Sequence, residues 1–352
     1  MPFLDIDGSY GEGGGQIVRT ALFLSTVLGV PVRIRKIRLG RRKPGLKRQH
    51  LHIVRFLKRM CEAKVEGDRV GSLELSYTPG RPRAGCYAVS FGTPASISLF
   101  LQTVLPVVLL TPGSTEVEVT GGTEVPMSPT IDWLRFVYLP LVRPLRETVR
   151  LDVLKRGYLP AGGGRVKLTV SGDLDPMNLK AAVRERLSPF REKQGRVQRV
   201  HLLSVAHELL RERRVVERQV QGALEFLQGK LFPVQIYRQY VEADSIGTSV
   251  TLWVEDSEGN ILGADSLGRK GKPAEEVGRE GALKLWEDWI TGATVDRHLA
   301  DHLIPWLALT GGCIRVPRFT GHLETNLWVC ERFLGVGSFR VLREERVVCA
   351  VV

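Results

Sequence analysis

Acidic residues are missing from a long stretch of this chain. Between Gly13 and Cys61 there is no Asp and no Glu, while the same stretch holds thirteen Lys and Arg. They include Arg19, Arg33, Arg35, Lys36, Arg38, Arg41, Arg42, Lys43, Lys47 and Arg48. The whole chain of 352 residues carries a formal net charge of +12, so this one segment exceeds the total. A solvated face mixes signs. A one-sign block that keeps helix and strand periodicity points to a folded surface facing a polyanion. The alternative is a block that is merely solvated.

Cysteine is scarce too. The five cysteines (Cys61, Cys86, Cys313, Cys330, Cys349) are odd in number, widely spaced and without a C-x-x-C pair. That argues against a disulfide framework or a structural zinc site and fits a reducing cytoplasm. Long hydrophobic runs are absent. The best one, Ile97 to Leu110, is broken by Ser98, Gln102 and Thr103 and is too short for a bilayer. The N-terminal residues lack a basic region followed by an apolar stretch, so no signal peptide is expected. The expectation is a soluble, cytoplasmic protein with no membrane partner. With 43% hydrophobic residues, the chain can bury a sizeable core, as one large domain plus a smaller one.

Apolar spacing predicts a strand at Phe3 to Asp7, a glycine loop, and a helix from about Gln16 to Leu28 stopped by Gly29. A strand at Val32 to Ile37, a basic amphipathic helix to about Met60 and a strand at Ser72 to Tyr77 follow. A second unit starts near Cys86 to Phe91, with helices at about Ser96 to Leu110 and Thr130 to Leu145. A third is expected to start at Arg165 to Val170. It would resume with a helix near Asp296 to Leu309, a strand at Cys313 to Val316, a helix from about His322 to Leu334 and two closing strands. The pattern reads as three α/β repeats at a spacing too long for a solenoid. Between about Leu187 and Lys272 the texture changes, with strand-like segments at Val234 to Val241 and Val250 to Val254. This predicts an inserted unit of about four strands and two helices.

Four motifs carry chemistry. Asp7 to Arg19 (DGSYGEGGGQIVR) is a glycine loop entering a helix, where bare backbone N–H groups and the positive helix end suit an anion. Gln16 breaks the G-x-G-x-x-G register, and no Lys-Ser or Lys-Thr makes it a P-loop. Glu12 is a lone carboxylate there. Carboxylate repels phosphate unless a cation intervenes, so a divalent metal is one reading and a helix-capping turn the other. Ile37 to Leu51 (IRLGRRKPGLKRQHL) offers arginine forks for phosphate oxygens. His50 shares a face with Val54 and Leu57 and is as easily a core histidine as a ligand. In Thr320 to Asn326 (TGHLETN), His322 stands at a predicted helix start. A neutral imidazole there can act as a nucleophile, with Thr325 and Asn326 candidates to orient it. His298, Asp301 and His302 share one face of a helix whose other face is Leu299, Leu303 and Trp306. Position 299 is Leu, so the zinc motif H-E-x-x-H is not met.

Six blocks in this order, GSYGEGGGQIVRTAL, IRLGRRKPGLKRQHL, FLQTVLP, GGTEVPMSP, HLADHLIPWLALTGG and GHLETNLWVCERFL, resemble the RNA 3′-terminal phosphate cyclases. The resemblance runs from about Asp5 to about Val336. It implies an α/β (α+β) fold: a threefold repeat of a βαβαββ unit with a smaller thioredoxin-like α/β domain inserted in the third repeat. The expected division is 1–184 and 278–352 for the large domain and 185–277 for the insert. It also implies ATP as substrate, a divalent cation (Mg or Mn), and RNA with a 3′-phosphate end as partner. The oligomeric state stays open, with a homodimer one option.

By motif, His322 resembles the histidine that becomes adenylylated and Glu12 the metal- and phosphate-site carboxylate. Arg19, Arg38 and Arg41 resemble phosphate-site arginines, with Gln49 and His50 the adjoining phosphate- or RNA-binding pair. Gln102 and Pro129 resemble nucleotide-pocket residues, Pro129 against adenine, and Asp301 the ribose contact. His298 stands where some members have Tyr and His302 where some have Gln; an imidazole can still stack. Three other readings compete. One is a non-catalytic, cyclase-like RNA-binding protein of ribosome biogenesis, which would lose the set Glu12, Arg19, Arg38, Arg41 and His322. Another is an enolpyruvyl transferase, which lacks the histidine block. The last is a lysine nucleotidyl ligase, whose K-x-D-G motif is not met because Asp5 precedes Asp7-Gly8.

Overall fold

Alternation of buried and exposed side chains decides the first sheet. In Val32–Arg35, Val32 and Ile34 are fully buried while Arg35 faces water. The computed structural model describes residues 2–174, 192–230 and 233–351; the expected domain junction near residue 184 lies outside them. Strands β1 (Leu4–Asp7), β2 (Val32–Arg35), β3 (Lys64–Glu66) and β4 (Leu75–Thr78) form a sheet in the order β1-β2-β4-β3. The first pair is parallel and the other two antiparallel.

A second sheet has the same order and the same senses: β5 (Gly85–Ser90), β6 (Thr115–Gly121), β8 (Gly164–Ser171), β7 (Thr148–Lys155). A third, β13 (Gly312–Arg315), β15 (Val347–Ala350) and β14 (Phe339–Leu342), is antiparallel throughout.

One expectation is corrected here. The strand at Arg165 to Val170 does not open a third unit. It is β8, which closes the second sheet between β6 and β7, with Val117 opposite Leu168 and Val119 opposite Val166. Its period-2 pattern was readable, but the pattern says nothing about which strand lies beside it.

The helices run close to their predicted bounds: Gly15–Leu28, Arg48–Cys61, Ile97–Leu109, Arg297–Thr310 and Gly321–Leu334. Gly29 ends the first in the left-handed region (φ 70°), where glycine has no Cβ to clash. Arg48–Cys61 buries Leu51, Val54, Leu57 and Met60 and turns Arg48, Arg55, Lys58 and Arg59 to solvent. The predicted helix at Thr130 to Leu145 is a run of short turns whose middle, Leu134–Tyr138, is π-helical. One core joins these elements, through Ile17, Leu24, Val54, Leu105, Leu299, Trp306, Leu323 and Val329. Each such buried side chain contributes about 1.5–3 kcal/mol. Trp306 meets its polar need by donating Nε1–H to the Tyr138 hydroxyl at 2.8 Å.

The fourth sheet, β10-β9-β11-β12, comprises β9 (Val197–His207), β10 (Val234–Val241), β11 (Thr248–Asp256) and β12 (Ile261–Leu267). Helices Val215–Leu227 and Ala274–Trp289 cover one face and enclose a separate core of Val200, Leu202, Val220, Leu252, Val277 and Leu285. The other face meets the Ile131–Tyr138 run. Phe136 stacks on Trp253 with centroids 4.6 Å apart, and Thr130 N–H donates to Asp265 at 2.6 Å. Asp296 ties three parts together. One oxygen caps the Arg297–Thr310 helix at His298 and Leu299; the other accepts from Gly263 N–H and Trp133 Nε1–H.

A second expectation is overturned. Cys313 and Cys349 form a disulfide. They are 36 residues apart, so no spacing motif announces them, but they are directly opposed in the β13–β15 pair. Sheet register, not local sequence, brings these thiols together.

Candidate functional site

The starts of helices Gly15–Leu28, Arg48–Cys61, Ile97–Leu109, Arg297–Thr310 and Gly321–Leu334 converge on one open cleft of about 1030 Å³. The glycine loop sets its floor. Gly13 takes a left-handed φ of 54°, and Gly15 sits so close to the His50 ring that any Cβ would collide with Nε2. The first turn of Gly15–Leu28 therefore lies directly against Arg48–Cys61. Neither helix has an acidic residue in its first turn, which leaves their positive ends free for anions.

His322 is the second residue of its helix, after Thr320, whose hydroxyl caps Leu323 N–H at 3.0 Å. The imidazole Nδ1 lies 3.1 Å from Glu12 Oε2. Nδ1–H donating to that carboxylate leaves Nε2 with its lone pair free. Burial, together with Arg19 and Arg41, outweighs Glu12 and lowers the His322 pKa below its ordinary value, so the ring is neutral at pH 7. Thr325 and Asn326, the candidate orienting residues, do not touch the ring. Thr325 bonds the Gly321 carbonyl at 2.6 Å. Asn326 Oδ1 accepts from Thr20 (2.7 Å) and Gln16 (3.2 Å), and its amide donates to the Asp301 carbonyl at 2.6 Å. Asn326 thus fastens the His322 helix to two others, and the contact to the ring itself is Glu12.

Arg19, Arg38 and Arg41 line the cleft in different states. Arg19 donates to Gln16 and is pulled down to about 10 by burial, still fully charged at pH 7. Arg38 spends two donors on the Lys43 and Gly45 carbonyls (2.7 and 3.1 Å) and shapes the basic loop. Arg41 is exposed and meets Glu12 at 3.5 Å; so open a pair contributes little and exchanges readily with phosphate. Gln49 and Lys47 also line the cleft. His50 is buried. Its Nδ1 accepts Lys47 N–H at 3.2 Å, and burial next to Arg19 and Arg38 lowers it to about 3. It stays neutral and acts as a spacer under the glycine loop.

His298, Asp301, His302 and Pro129 also line the cleft. Burial pushes the Asp301 carboxyl up to about 7, although it accepts the Thr320 hydroxyl at 2.8 Å. Burial lowers both His298 and His302, so both are neutral. Gln102 does not line the main cleft. It borders a cavity of about 20 Å³ behind it, shared with Gln16, Arg19 and His302.

Residues of the fourth sheet and its helix were not foreseen as site residues. Asp265, Arg269, Lys272, Glu280 and Lys284 form a second wall. No motif marks them, because β12 and Ala274–Trp289 reach the cleft only through tertiary packing. Among the described residues no helix is long and apolar enough to cross a membrane.

The profile of the RNA 3′-terminal phosphate cyclase family matches residues 10–340. The chain is 42% identical over 331 residues to an RNA 3′-terminal phosphate cyclase of Pyrococcus furiosus, covering 94% of this chain and 93% of the relative. It is 44% identical over 336 residues to that of Hyperthermus butylicus, covering 92% and 89%. With that of Korarchaeum cryptofilum it shares 39% over 357 residues, covering 98% of each. A match of this length, over a cleft that gathers the same glycine loop, basic loop and histidine helix, means that the chain belongs to the RNA 3′-terminal phosphate cyclase family.

Proposed function

We propose that the protein converts an RNA 3′-terminal phosphate to a 2′,3′-cyclic phosphodiester, with ATP as the activating substrate and His322 as the group that carries AMP. The observation that carries this reading is the His322–Glu12 contact of 3.1 Å beside Arg19, Arg38 and Arg41 in one cleft. A terminal phosphate needs activation because oxide is a poor leaving group. His322 Nε2 forms a bond to the α-phosphorus of ATP, and the bond to the β-phosphate bridging oxygen breaks, releasing pyrophosphate. An oxygen of the RNA 3′-phosphate then takes the AMP from Nε2. Last, the 2′-oxygen bonds the 3′-phosphorus, its proton leaves, and AMP departs. Ring closure is intramolecular, so proximity supplies much of the rate, with effective molarities of ~10⁵ M or more.

The residues take these roles. Glu12 holds the Nδ1 proton and keeps Nε2 nucleophilic. The two helix starts and the arginines offset phosphoryl charge. Pro129 and His298 face the adenine, Asp301 accepts from the ribose, and His302 packs behind. Magnesium is usually held by one or two carboxylates plus substrate phosphates. Glu12, a half-exposed carboxylate beside His322, fits that habit and would hold a divalent cation jointly with ATP. Such a cation would supply further charge neutralisation.

The matching strand orders of the first two sheets support a repeated unit, with β13, β15 and β14 as the corresponding part of a third. The order β10-β9-β11-β12, with its parallel first pair, supports a thioredoxin-like insert over 185–277. The core of that unit also draws on Leu285, beyond residue 277. A cytoplasmic location goes with an RNA-processing role.

Incubation with α-labelled ATP tests the reading. Label that stays on the protein, is lost in acid and survives alkali is the expected phosphoramidate. No protein-bound label, or a label lost in alkali, would reject the histidine route.

A further inference from the structure

An aromatic pair joins the glycine loop to the His322 helix and has no assigned role. Tyr10 stacks on Trp328, ring centroids 4.0 Å apart and planes 10° from parallel. Trp328 packs on the main core. Tyr10 belongs to the glycine loop, pinned by its own N–H to Asp7 O (3.3 Å) and by Gly13 N–H to its carbonyl (2.9 Å). The tyrosine nevertheless remains 44% exposed. Stacking on indole fixes the plane of the ring before anything arrives.

Position gives the platform its meaning. Tyr10 is two residues from Glu12, at most about 7 Å along the chain. Trp328 lies six residues beyond His322, about 9 Å along the helix axis. On the other side is the basic loop, whose Arg41 reaches Glu12. Nearby carboxylates are already engaged: Asp7 accepts from Lys36 at 3.1 Å and Glu324 from Arg343 at 2.9 Å. A flat ring near a basic loop is the combination that holds single-stranded nucleic acid, the base stacked and the backbone neutralised.

We infer that the Tyr10–Trp328 pair is a stacking subsite for an RNA base, that of the 3′-terminal nucleotide or its immediate neighbour. This rests on the proposed cyclase reading. The adenine of ATP is placed across the cleft by Pro129 and His298, which leaves this ring for the RNA. Stacking is tolerant of base identity, so the subsite recognises a base without choosing a sequence.

Oligoribonucleotides ending in a 3′-phosphate, intact or abasic at either of the last two positions, test it by binding anisotropy and by cyclisation. Wild type should favour intact RNA over one abasic form by roughly five- to a hundredfold. Tyr10→Ala should erase that ratio and Tyr10→Trp should keep it. Protein labelling with ATP alone, run on the same preparations, reports on the glycine loop. An unchanged ratio in Tyr10→Ala overturns the inference. So does a loss of ATP-only labelling that matches the loss with RNA, which would make the ring a support for the loop. A change in oligomeric state that accounts for the effect would instead make it a contact between copies. Failure of wild type to label at all would reject the cyclase chemistry while leaving the binding ratio to judge the subsite.

Discussion

The two walls of the cleft carry similar charges and treat them differently. On the His322 wall, Arg19 has an amide for a partner, Arg38 has carbonyls, and Arg41 has one loose contact with Glu12. On the opposite wall, Lys272 and Lys284 both close on Glu280, which also lies against a Ser266–Asp265 stretch held by those lysines. Burial would raise the Glu280 carboxyl, but the two lysines outweigh it and bring it to about 2. The first wall is electrostatically incomplete and waits for an anion. On the second, Lys272 and Lys284 are already paired with Glu280 and serve as scaffold. Counting positive residues would rank the walls alike; counting what each cation already touches separates them.

Loss of His322 should break this contrast most sharply. His322→Ala should abolish both the protein–AMP adduct and cyclisation, and adduct formation at the wild-type level would remove His322 from its role.

Next in size, Asp301→Asn should weaken ATP binding by roughly tenfold to a hundredfold, the usual cost of about 1.5–3 kcal/mol for a charge-assisted hydrogen bond. RNA binding should be nearly intact. Burial holds the Asp301 carboxyl near 7, so it becomes a full acceptor only above that pH. Adenylylation at limiting ATP should therefore rise between about pH 6 and 8 in wild type and be flat there in Asp301→Asn. The same slope in both would assign the titration to another group.

Salt offers a smaller, graded test. RNA affinity should fall with a slope of ~0.7 per phosphate neutralised. For about three phosphates that is roughly twentyfold between 50 and 200 mM salt. An affinity indifferent to salt would make the first wall as satisfied as the second.

Smallest of all is Glu280→Gln. The site is more than a third exposed, so solvent screening limits the pair's worth, and affinity for RNA or ATP should change by less than about threefold. The folded carboxyl titrates near 2, below its usual 4.5. It therefore stabilises the protein above about pH 4.5 and loses that contribution as pH falls toward 2. Acid unfolding followed by circular dichroism should begin at the same pH in the variant but descend less steeply. A large loss of stability at pH 7 would mean the lysines depend on Glu280 more than their exposure suggests.

What was legible in the sequence follows the same division. Helices Gly15–Leu28, Arg48–Cys61 and Gly321–Leu334 declare themselves through apolar spacing, and with the loops before them they carry the first wall. Contacts decided by packing between distant segments were not legible. Register alone pairs Cys313 with Cys349 and places β8 beside β6. Tertiary docking alone puts Lys272 in the cleft, moves Gln102 behind it, and gives Glu12 rather than Asn326 the imidazole of His322. Sequence pattern reports what a segment needs to bury, not which distant partner buries it.

The hydrogen bond from Gln16 to Asn326 spans 310 positions, and that separation has a consequence in time. Ribosomes add about 5–20 residues per second, so the basic loop and glycine turn are made roughly 15–60 s before the helix that completes them. Throughout that interval a nascent chain exposes its basic segment without the helix that carries His322. Enzymatic competence arrives as a single late event, when the last helix docks on the first.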